Sequence, residues 1–228
     1  MPNNQWLDMK HTALLTAVLF LHVGCNDASH VESSSFTGNP RRSMTIEEKF
    51  AALADCGLKL NDQFGVSHLA DSWGREALDE PGWDLALVSL GMTQEERPWT
   101  PHCENLWHFD TECIDGDGSY VRIANRMQEM ALGSLPLSDV QDHVDIDSGK
   151  AWLRFKCQGN PMQIDCEVQD DWVDTRLFGK FVDLLAKCDP VKLFIYYDLG
   201  GQGCIIGCVT RAEYARLQKL IPAVQPLT

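Results

Sequence analysis

Three strand-like segments separated by short turn sequences are the feature that most limits how this chain can fold. The segments span residues 140–146, 151–157 and 162–168, and the turn sequences between them are DSG and QGNP. Asn, Asp, Gly and Pro favour tight turns. Turns this short connect antiparallel strands, because parallel neighbours need a crossover of a dozen residues or more. The sequence therefore predicts an antiparallel meander in this part of the chain.

Capping signals predict helices on either side of the meander. Thr45 with Glu48, and Thr210 with Glu213, have the spacing of a capping box, in which each side chain accepts a hydrogen bond from the other residue's backbone. Apolar periodicity and flanking turn residues predict the remaining elements. The predicted helices span 45–56, 69–78, 83–90, 120–132, 174–188 and 210–220, with Ser119 as the cap of the fourth, and further strands span 106–114, 192–199 and 204–209.

The order of these elements predicts the fold class. Most of the strands are joined by tight turns, which favours antiparallel pairing over the parallel sheet of a repeating βα pattern. The sequence predicts an α+β fold in a single domain, with an antiparallel sheet of about six strands and helices packed on one face.

Residues 9–25, MKHTALLTAVLFLHVGC, resemble the export signal of a bacterial lipoprotein. Lys10 and His11 precede an apolar run at 12–21, which is shorter than the roughly 20 residues that span a bilayer. Cys25 follows Val and Gly, although His22 departs from the family's pattern, which places Leu three residues before the cysteine. We expect diacylglycerol and an N-acyl chain such as palmitate at Cys25. The alternatives are a cleaved secretory signal and a cytosolic chain with an apolar N-terminal helix.

The export signal divides the chain into three parts. Residues 1–25 are the predicted signal peptide with its lipidated cysteine. Residues 26–43 are rich in Ser, Asn and Gly, so we expect a flexible linker. Residues 44–224 are the predicted globular domain. The resulting protein faces the periplasm from a bacterial membrane, to which several acyl chains anchor it stably.

Charge limits the class of partner. The chain has 33 acidic and 19 basic side chains and a formal net charge of −14. Such a surface repels nucleic acid and attracts basic proteins. Ordinary solubility is the simpler explanation for the same charge.

Cysteine content suggests disulfide bonds. Eight cysteines remain when Cys25 is set aside, an even number that suits an exported protein. Cys157 and Cys166 flank a predicted hairpin and form a plausible local pair. Cys204 and Cys208 lie four positions apart on one predicted strand, roughly 13 Å apart and too far to bond. The alternative is that several of these cysteines are simply small buried apolar residues.

Asp110 and Glu112 are the candidate catalytic pair. They lie on one face of the predicted strand at 106–114, roughly 7 Å apart, with His108 on the same face. Paired carboxylates at such a separation serve as acid and base in hydrolases. A solvated strand face is the simpler alternative. The sequence contains no nucleophile elbow, Walker loop or dinucleotide-binding glycine pattern.

The segment QDDWVD at 169–174 is a candidate binding site. Asp170, Asp171 and Asp174 surround Trp172 between a predicted strand and a predicted helix. An aromatic anchor ringed by acids suits contact with a basic protein. The alternative is structural, with Trp172 packed inward and Asp174 capping the helix.

Two patterns resemble metal sites without matching one. Asp115 and Asp117 begin a sequence like a calcium loop, but the sixth and twelfth positions are Tyr120 and Arg126 instead of Gly and Glu. The second pattern lacks the close pairing of zinc ligands and comprises His102, Cys103, His108 and Cys113. We therefore expect no metal and no cofactor.

The segments LWHFDTECI, DGSYVRIANRM, FKCQG, DDWVD and GGQGCIIGCVT together resemble small bacterial α+β proteins, some of which are proposed as immunity proteins of toxin systems. The resemblance covers about residues 106–220. It implies a protein that binds and blocks a toxin without catalysis. A lipid anchor would restrict that toxin to one acting in the periplasm.

Three functions are therefore open. The first is a lipid-anchored envelope protein that acts by binding a protein, such as an immunity protein against a basic periplasmic toxin. The second is an envelope hydrolase that uses Asp110 and Glu112 with His108. The third is a structural lipoprotein with no dedicated ligand.

Overall fold

A computed structural model describes residues 43–94 and 97–228. The predicted signal peptide at 1–25, with Cys25, and the predicted linker up to residue 42 lie outside the described residues. The described residues contain seven helices: α1 Ile46–Asp55, α2 Val66–Trp73, α3 Arg75–Asp79, α4 Asp84–Gly91, α5 Ser119–Met130, α6 Arg176–Cys188 and α7 Arg211–Leu220. They also contain seven strands: β1 Leu106–Asp110, β2 Leu137–Asp145, β3 Lys150–Cys157, β4 Asn160–Glu167, β5 Lys192–Asp198, β6 Gly203–Thr210 and β7 Gln225–Pro226.

Four strands form one antiparallel sheet in the order β1-β6-β5-β7. β5 and β6 are a hairpin, and β1 pairs with the other edge of β6, so that Leu106 lies opposite Gly207 and Asp110 lies opposite Gly203. This register brings the end of β1 next to the glycine-rich loop that joins β5 to β6.

The other three strands form the predicted meander in the order β2-β3-β4. A two-residue turn joins β3 to β4, and both of its residues have positive φ, 50° at Gln158 and 80° at Gly159. Such a turn follows the twist of the paired strands. The β2–β3 register shifts between Ser138 and Gln141, where Asp139 has a φ of 53°. The bulge places one extra residue in β2, and pairing continues beyond it at Leu137 and Ser138, so β2 begins before the predicted strand.

Two apolar cores lie on opposite faces of the four-stranded sheet. One core contains residues of α1 to α4 and α7, together with Leu106 of β1 and Ile195 of β5. The other contains residues of α5, α6 and the three-stranded sheet, together with Phe109 of β1 and Phe194 of β5. Helices α5 and α6 thus share one core with both sheets.

The α+β class and the antiparallel pairing are confirmed, with two differences in detail. Seven strands are divided between two sheets, whereas about six in one sheet were predicted. Helices cover both faces of the four-stranded sheet. The burial of neighbouring residues such as Phe194 and Ile195, which point to opposite faces, shows this coverage. A continuous apolar run does not reveal which of its residues point to which face, so the second covering layer was not predicted.

Both predicted capping boxes are present, at Thr45 with Glu48 and at Thr210 with Glu213. The predicted cap of α5 is wrong. Ser119 is the first residue of that helix, and the Asp142 carboxylate from β2 accepts the N–H groups of Gly118 and Val121 at 2.7 and 3.0 Å. Among the described helices, none is long and apolar enough to cross a membrane.

Candidate functional site

The candidate catalytic carboxylates lie where β1 ends. The strand ends at Asp110, four residues earlier than predicted, because the Asp110 side chain accepts a hydrogen bond from the Glu112 N–H at 2.9 Å. Thr111 then donates its N–H and its hydroxyl to the Gln202 carbonyl at 3.0 and 2.9 Å. Glu112 therefore lies beyond the strand, at the margin of the sheet.

One amide side chain lies between the two carboxylates. Gln202 Nε2 is 3.3 Å from Asp110 Oδ2, and the opposite orientation of the amide places its nitrogen 3.2 and 3.3 Å from the two Glu112 oxygens. A single amide can thus donate to either acid. Gln202 was not among the predicted site residues. Its polar side chain within the glycine-rich loop Gly200-Gly-Gln-Gly203 is the sequence signal that could have identified it.

His108 shares a face of β1 with Asp110 but does not form a catalytic pair with it. Its ring lies over the backbone of β6, with Nε2 3.6 Å from the position that a Cβ on Gly203 would occupy. Burial lowers the pKa of His108, although the Asp110 charge acts in the opposite direction. No hydrogen bond joins the described side chains of His108 and Asp110.

The candidate binding segment is a tight hairpin. Gln169 pairs with Trp172, and Asp170 and Asp171 form its two-residue tip. Asp170 has a φ of 58°, in the left-handed region that Asp tolerates better than most residues. Both tip carboxylates are exposed, and Trp172 is 42% exposed.

Backbone hydrogen bonds join this hairpin to the segment that follows β1. Glu112 lies opposite Trp172 in an antiparallel bridge. On either side of that bridge, Val173 N–H donates to the Thr111 carbonyl and Ile114 N–H donates to the Asp171 carbonyl, each at 2.9 Å. The fold thereby brings together the two candidate sites predicted separately from sequence. We call the resulting surface the acidic edge, which comprises Asp110, Glu112, Asp170, Asp171 and Trp172.

The acidic edge has no ion-pair partner in the part of the chain that the structure describes. None of its four carboxylates forms an ion pair with another described residue. Loss of hydration raises the pKa of Glu112, and the nearby charges of Asp171 and Asp110 raise it further. Mutual repulsion of this kind is relieved when a positive group approaches.

Asp174 is engaged in structural contacts instead. Its carboxylate accepts the N–H of Arg176 at the start of α6 at 3.1 Å and the N–H of Glu167 in β4 at 3.0 Å. It also forms an ion pair with the Arg176 guanidinium at 2.7 Å. The guanidinium and these donors lower its pKa against the effect of burial. Asp174 therefore holds α6 against β4 and is not part of the acidic edge.

The residues that resembled a calcium loop are used within the fold. Asp115 accepts hydrogen bonds from Ser119 and Arg122, and Asp117 accepts the N–H of Val144. In the part of the chain that the structure describes, no group of three or more His, Cys, Asp or Glu side chains is placed to hold a metal ion.

The suggested pairing of Cys157 with Cys166 is wrong. Cys157 lies opposite Asn160 at the turn end of the β3–β4 hairpin, whereas Cys166 lies opposite Ala151 at its far end. This register separates the two cysteines by roughly 20 Å along the strands. The distance is far beyond the reach of a disulfide bond.

Two cavities adjoin α6 and the residues around Pro226. Their volumes are about 730 and 270 Å³, and neither is lined by Asp110, Glu112 or His108. The lining of the larger cavity includes Asp165, Arg176 and Lys180, and the smaller is lined mainly by apolar side chains. The candidate catalytic carboxylates, both of which are half-buried, line neither of these two cavities.

Comparison with protein-family models, curated protein sequences and solved structures finds no match for this chain. The chemistry of the acidic edge is therefore the basis on which a function can be proposed.

Proposed function

We propose that this protein acts by binding a basic protein partner through the acidic edge. One observation carries the proposal. A partly exposed indole and four carboxylates, none of them in an ion pair among residues 43–94 and 97–228, are held together by backbone hydrogen bonds from two separate segments of the chain. Their position therefore does not depend on flexible side chains alone.

The physical properties of the acidic edge suit protein recognition. Trp is among the residues that contribute most to binding energy at the centre of interfaces. The carboxylates around Trp172 attract a positively charged surface and orient it during approach. A partner that supplies Lys or Arg would also relieve the repulsion that raises the pKa of Glu112.

The expected setting is the cell envelope. The support is the lipoprotein-like signal at 9–25 and the resemblance of residues 106–220 to immunity-type proteins. In the most specific form of the proposal, this protein is anchored to a bacterial membrane at Cys25 and neutralises a basic toxin that acts in the periplasm. Replacing the anchor by Cys25→Ser should release the protein from membranes; continued membrane association would contradict the anchor.

An envelope hydrolase is the second candidate. The raised pKa of Glu112, beside Asp110 and one bridging amide, favours a general acid that stays protonated at higher pH than an ordinary glutamate. The position of the pair outside both described cavities argues against it, because substrate pockets usually enclose most of a ligand's surface. We therefore place binding ahead of catalysis.

The first experiment tests the aromatic anchor. The full-length protein is used to recover partners from envelope extracts, and the affinity for any stoichiometric partner is compared between wild type and Trp172→Ala. We expect a loss of roughly 30-fold or more, as for an interface hot spot. Trp99→Ala is the matched control, because Trp99 is also exposed, at 65%, and lies outside the acidic edge.

The second experiment separates binding from catalysis. Asp170→Asn and Asp171→Asn should each weaken binding and reduce its salt dependence, whereas Glu104→Gln, at another exposed acid, should have little effect. A hydrolase predicts the opposite pattern, in which Glu112→Gln and Asp110→Asn abolish turnover and the tip variants retain it. Equal partner affinity in wild type, Trp172→Ala and both tip variants would contradict the binding proposal.

A further inference from the structure

Two cysteines from different layers of the fold lie in contact. Cys157 is the last residue of β3, and Cys188 is the last residue of α6. Their sulfur atoms are 3.7 Å apart, and among the described cysteines they are the only two whose thiols share a hydrogen bond. From the structure we infer that Cys157 and Cys188 form a redox-active pair that oxidises to a disulfide bond.

The geometry requires little movement. A disulfide bond is about 2.05 Å long, so the two sulfur atoms must approach by only about 1.7 Å, a distance that small side-chain rotations cover. Both residues end their elements, where the backbone is less constrained than in the middle of a strand or helix. Within the described residues Cys166 has no thiol partner of this kind, since its buried thiol lies near the Ile164 carbonyl and the Tyr120 hydroxyl.

The two thiols differ in accessibility, and this sets the order of the reaction. Cys188 is half-buried, whereas Cys157 is only 5% exposed and burial raises the pKa of its thiol to about 11. The thiolate is the nucleophile in thiol–disulfide exchange. Cys188 is therefore the residue that reacts first with an external oxidant.

The oxidant is a disulfide, either of a small thiol such as glutathione or of a dithiol oxidoreductase. The Cys188 thiolate attacks one sulfur of that disulfide, and a mixed disulfide forms while one thiolate leaves. Cys157 then loses its proton and attacks Cys188 Sγ, which expels the second thiol. Overall, two protein thiols are oxidised to one disulfide and the external disulfide is reduced to two thiols.

The bond would enclose the acidic hairpin. Residues 157–188 include β4, the hairpin with Asp170 and Asp171 at its tip, and the whole of α6. A link between the two ends of this segment reduces the freedom of the unfolded chain and opposes opening of the segment in the folded protein. The redox state of the pair thus determines how readily the hairpin part of the acidic edge, with Asp170, Asp171 and Trp172, opens away from the rest of the fold. This holds whichever partner the acidic edge binds.

Peptide mapping of the full-length protein tests the pair directly. The reduced protein is incubated with oxidised glutathione, free thiols are alkylated, and tryptic peptides are analysed by mass spectrometry. We expect the peptide 157–176 linked to the peptide 188–192. Because the first peptide also contains Cys166, the assay is repeated with Cys166→Ala, which should keep the link, and with Cys157→Ala, which should lose it.

The second readout is thermal unfolding. Oxidation should raise the unfolding midpoint of wild type and Cys166→Ala by about 5–15 °C, and leave Cys157→Ala and Cys188→Ala unchanged. Cys188→Ser at the half-buried position serves if Cys157→Ala does not fold. Absence of the linked peptide under conditions that oxidise a control dithiol, or a link that persists in Cys157→Ala, overturns the inference. An unchanged midpoint in the linked protein overturns the constraining role.

Discussion

The two sheets differ in how many of their faces are buried. In β6 of the four-stranded sheet, residues 204–209 are all buried, whereas in β3 of the three-stranded sheet buried and more accessible residues alternate. A sheet covered on both faces has no open face on which to display side chains, so it can present a site only where strands end. The acidic edge lies at such a position, where β1 ends and the β5–β6 loop begins.

The largest expected effects come from core truncations that compare neighbouring residues in each sheet. Phe194→Ala and Ile195→Ala should both lower the free energy of unfolding, by about 3–5 and 2–5 kcal/mol, because the two side chains fill opposite cores. In β3, Leu153→Ala should cost about 2–5 kcal/mol and Arg154→Ala less than about 1 kcal/mol. Urea unfolding measures all four values.

The informative variant in this set is Ile195→Ala. If it costs less than about 1 kcal/mol, the second face of the four-stranded sheet is not sealed, and the difference between the two sheets disappears.

A pair of helical glycines should give effects of intermediate size and opposite sign. A Cβ on Gly91 at the end of α4 would lie 2.6 Å from the His108 backbone nitrogen, so Gly91→Ala should force α4 away from β1 and cost about 1–3 kcal/mol. Gly179 in α6 has no heavy atom closer than 3.9 Å to the corresponding position. Gly179→Ala should therefore stabilise the protein by about 0.5–1 kcal/mol. Thermal unfolding measures both changes, and a Gly91→Ala variant as stable as wild type would show that close packing of α4 on β1 is not required.

The smallest expected effect is a dependence of stability on pH that arises on the side of α1 to α4. His102 is buried, with Nδ1 2.7 Å from the Ser89 carbonyl, and burial lowers its pKa below the ordinary value of 6.5. The unfolded chain therefore takes up this proton at a higher pH than the folded chain does. The free energy of unfolding should fall as pH falls below about 6.5.

His102→Gln should reduce the slope of stability against pH between pH 7 and 5. An identical slope in wild type and His102→Gln would show that burial of His102 does not contribute to acid sensitivity.

Local signals account for the parts of the fold that were predicted correctly. The capping boxes at Thr45 and Thr210 and the turn at Gln158 involve residues within four positions of one another, so their chemistry is readable from the chain alone. The division into two sheets depends on which strands meet across long separations. The strand β7 was missed because two residues, one of them Pro226, show no periodicity.

The candidate site was only partly predictable for the same reason. Asp110, Glu112 and the acids around Trp172 were identified as two separate groups from their composition. Glu112 and Trp172 are 60 positions apart, and nothing in either segment indicates that they pair. The contact of Cys157 with Cys188 was likewise hidden, because it depends on where α6 ends relative to β3.

The registers also set the order in which the strands can pair as the chain emerges during synthesis. The three-stranded sheet is complete once residue 167 is available, since its strands follow one another in sequence. By contrast, β1 pairs with β6, so Leu106 can pair only after Gly207, 101 positions later, has been synthesised. Contacts between residues this far apart in sequence slow folding, and an unpaired strand edge can associate with other chains. If this protein is exported as proposed, the late closure of β1 is compatible with a chain that stays unfolded until it has crossed the membrane.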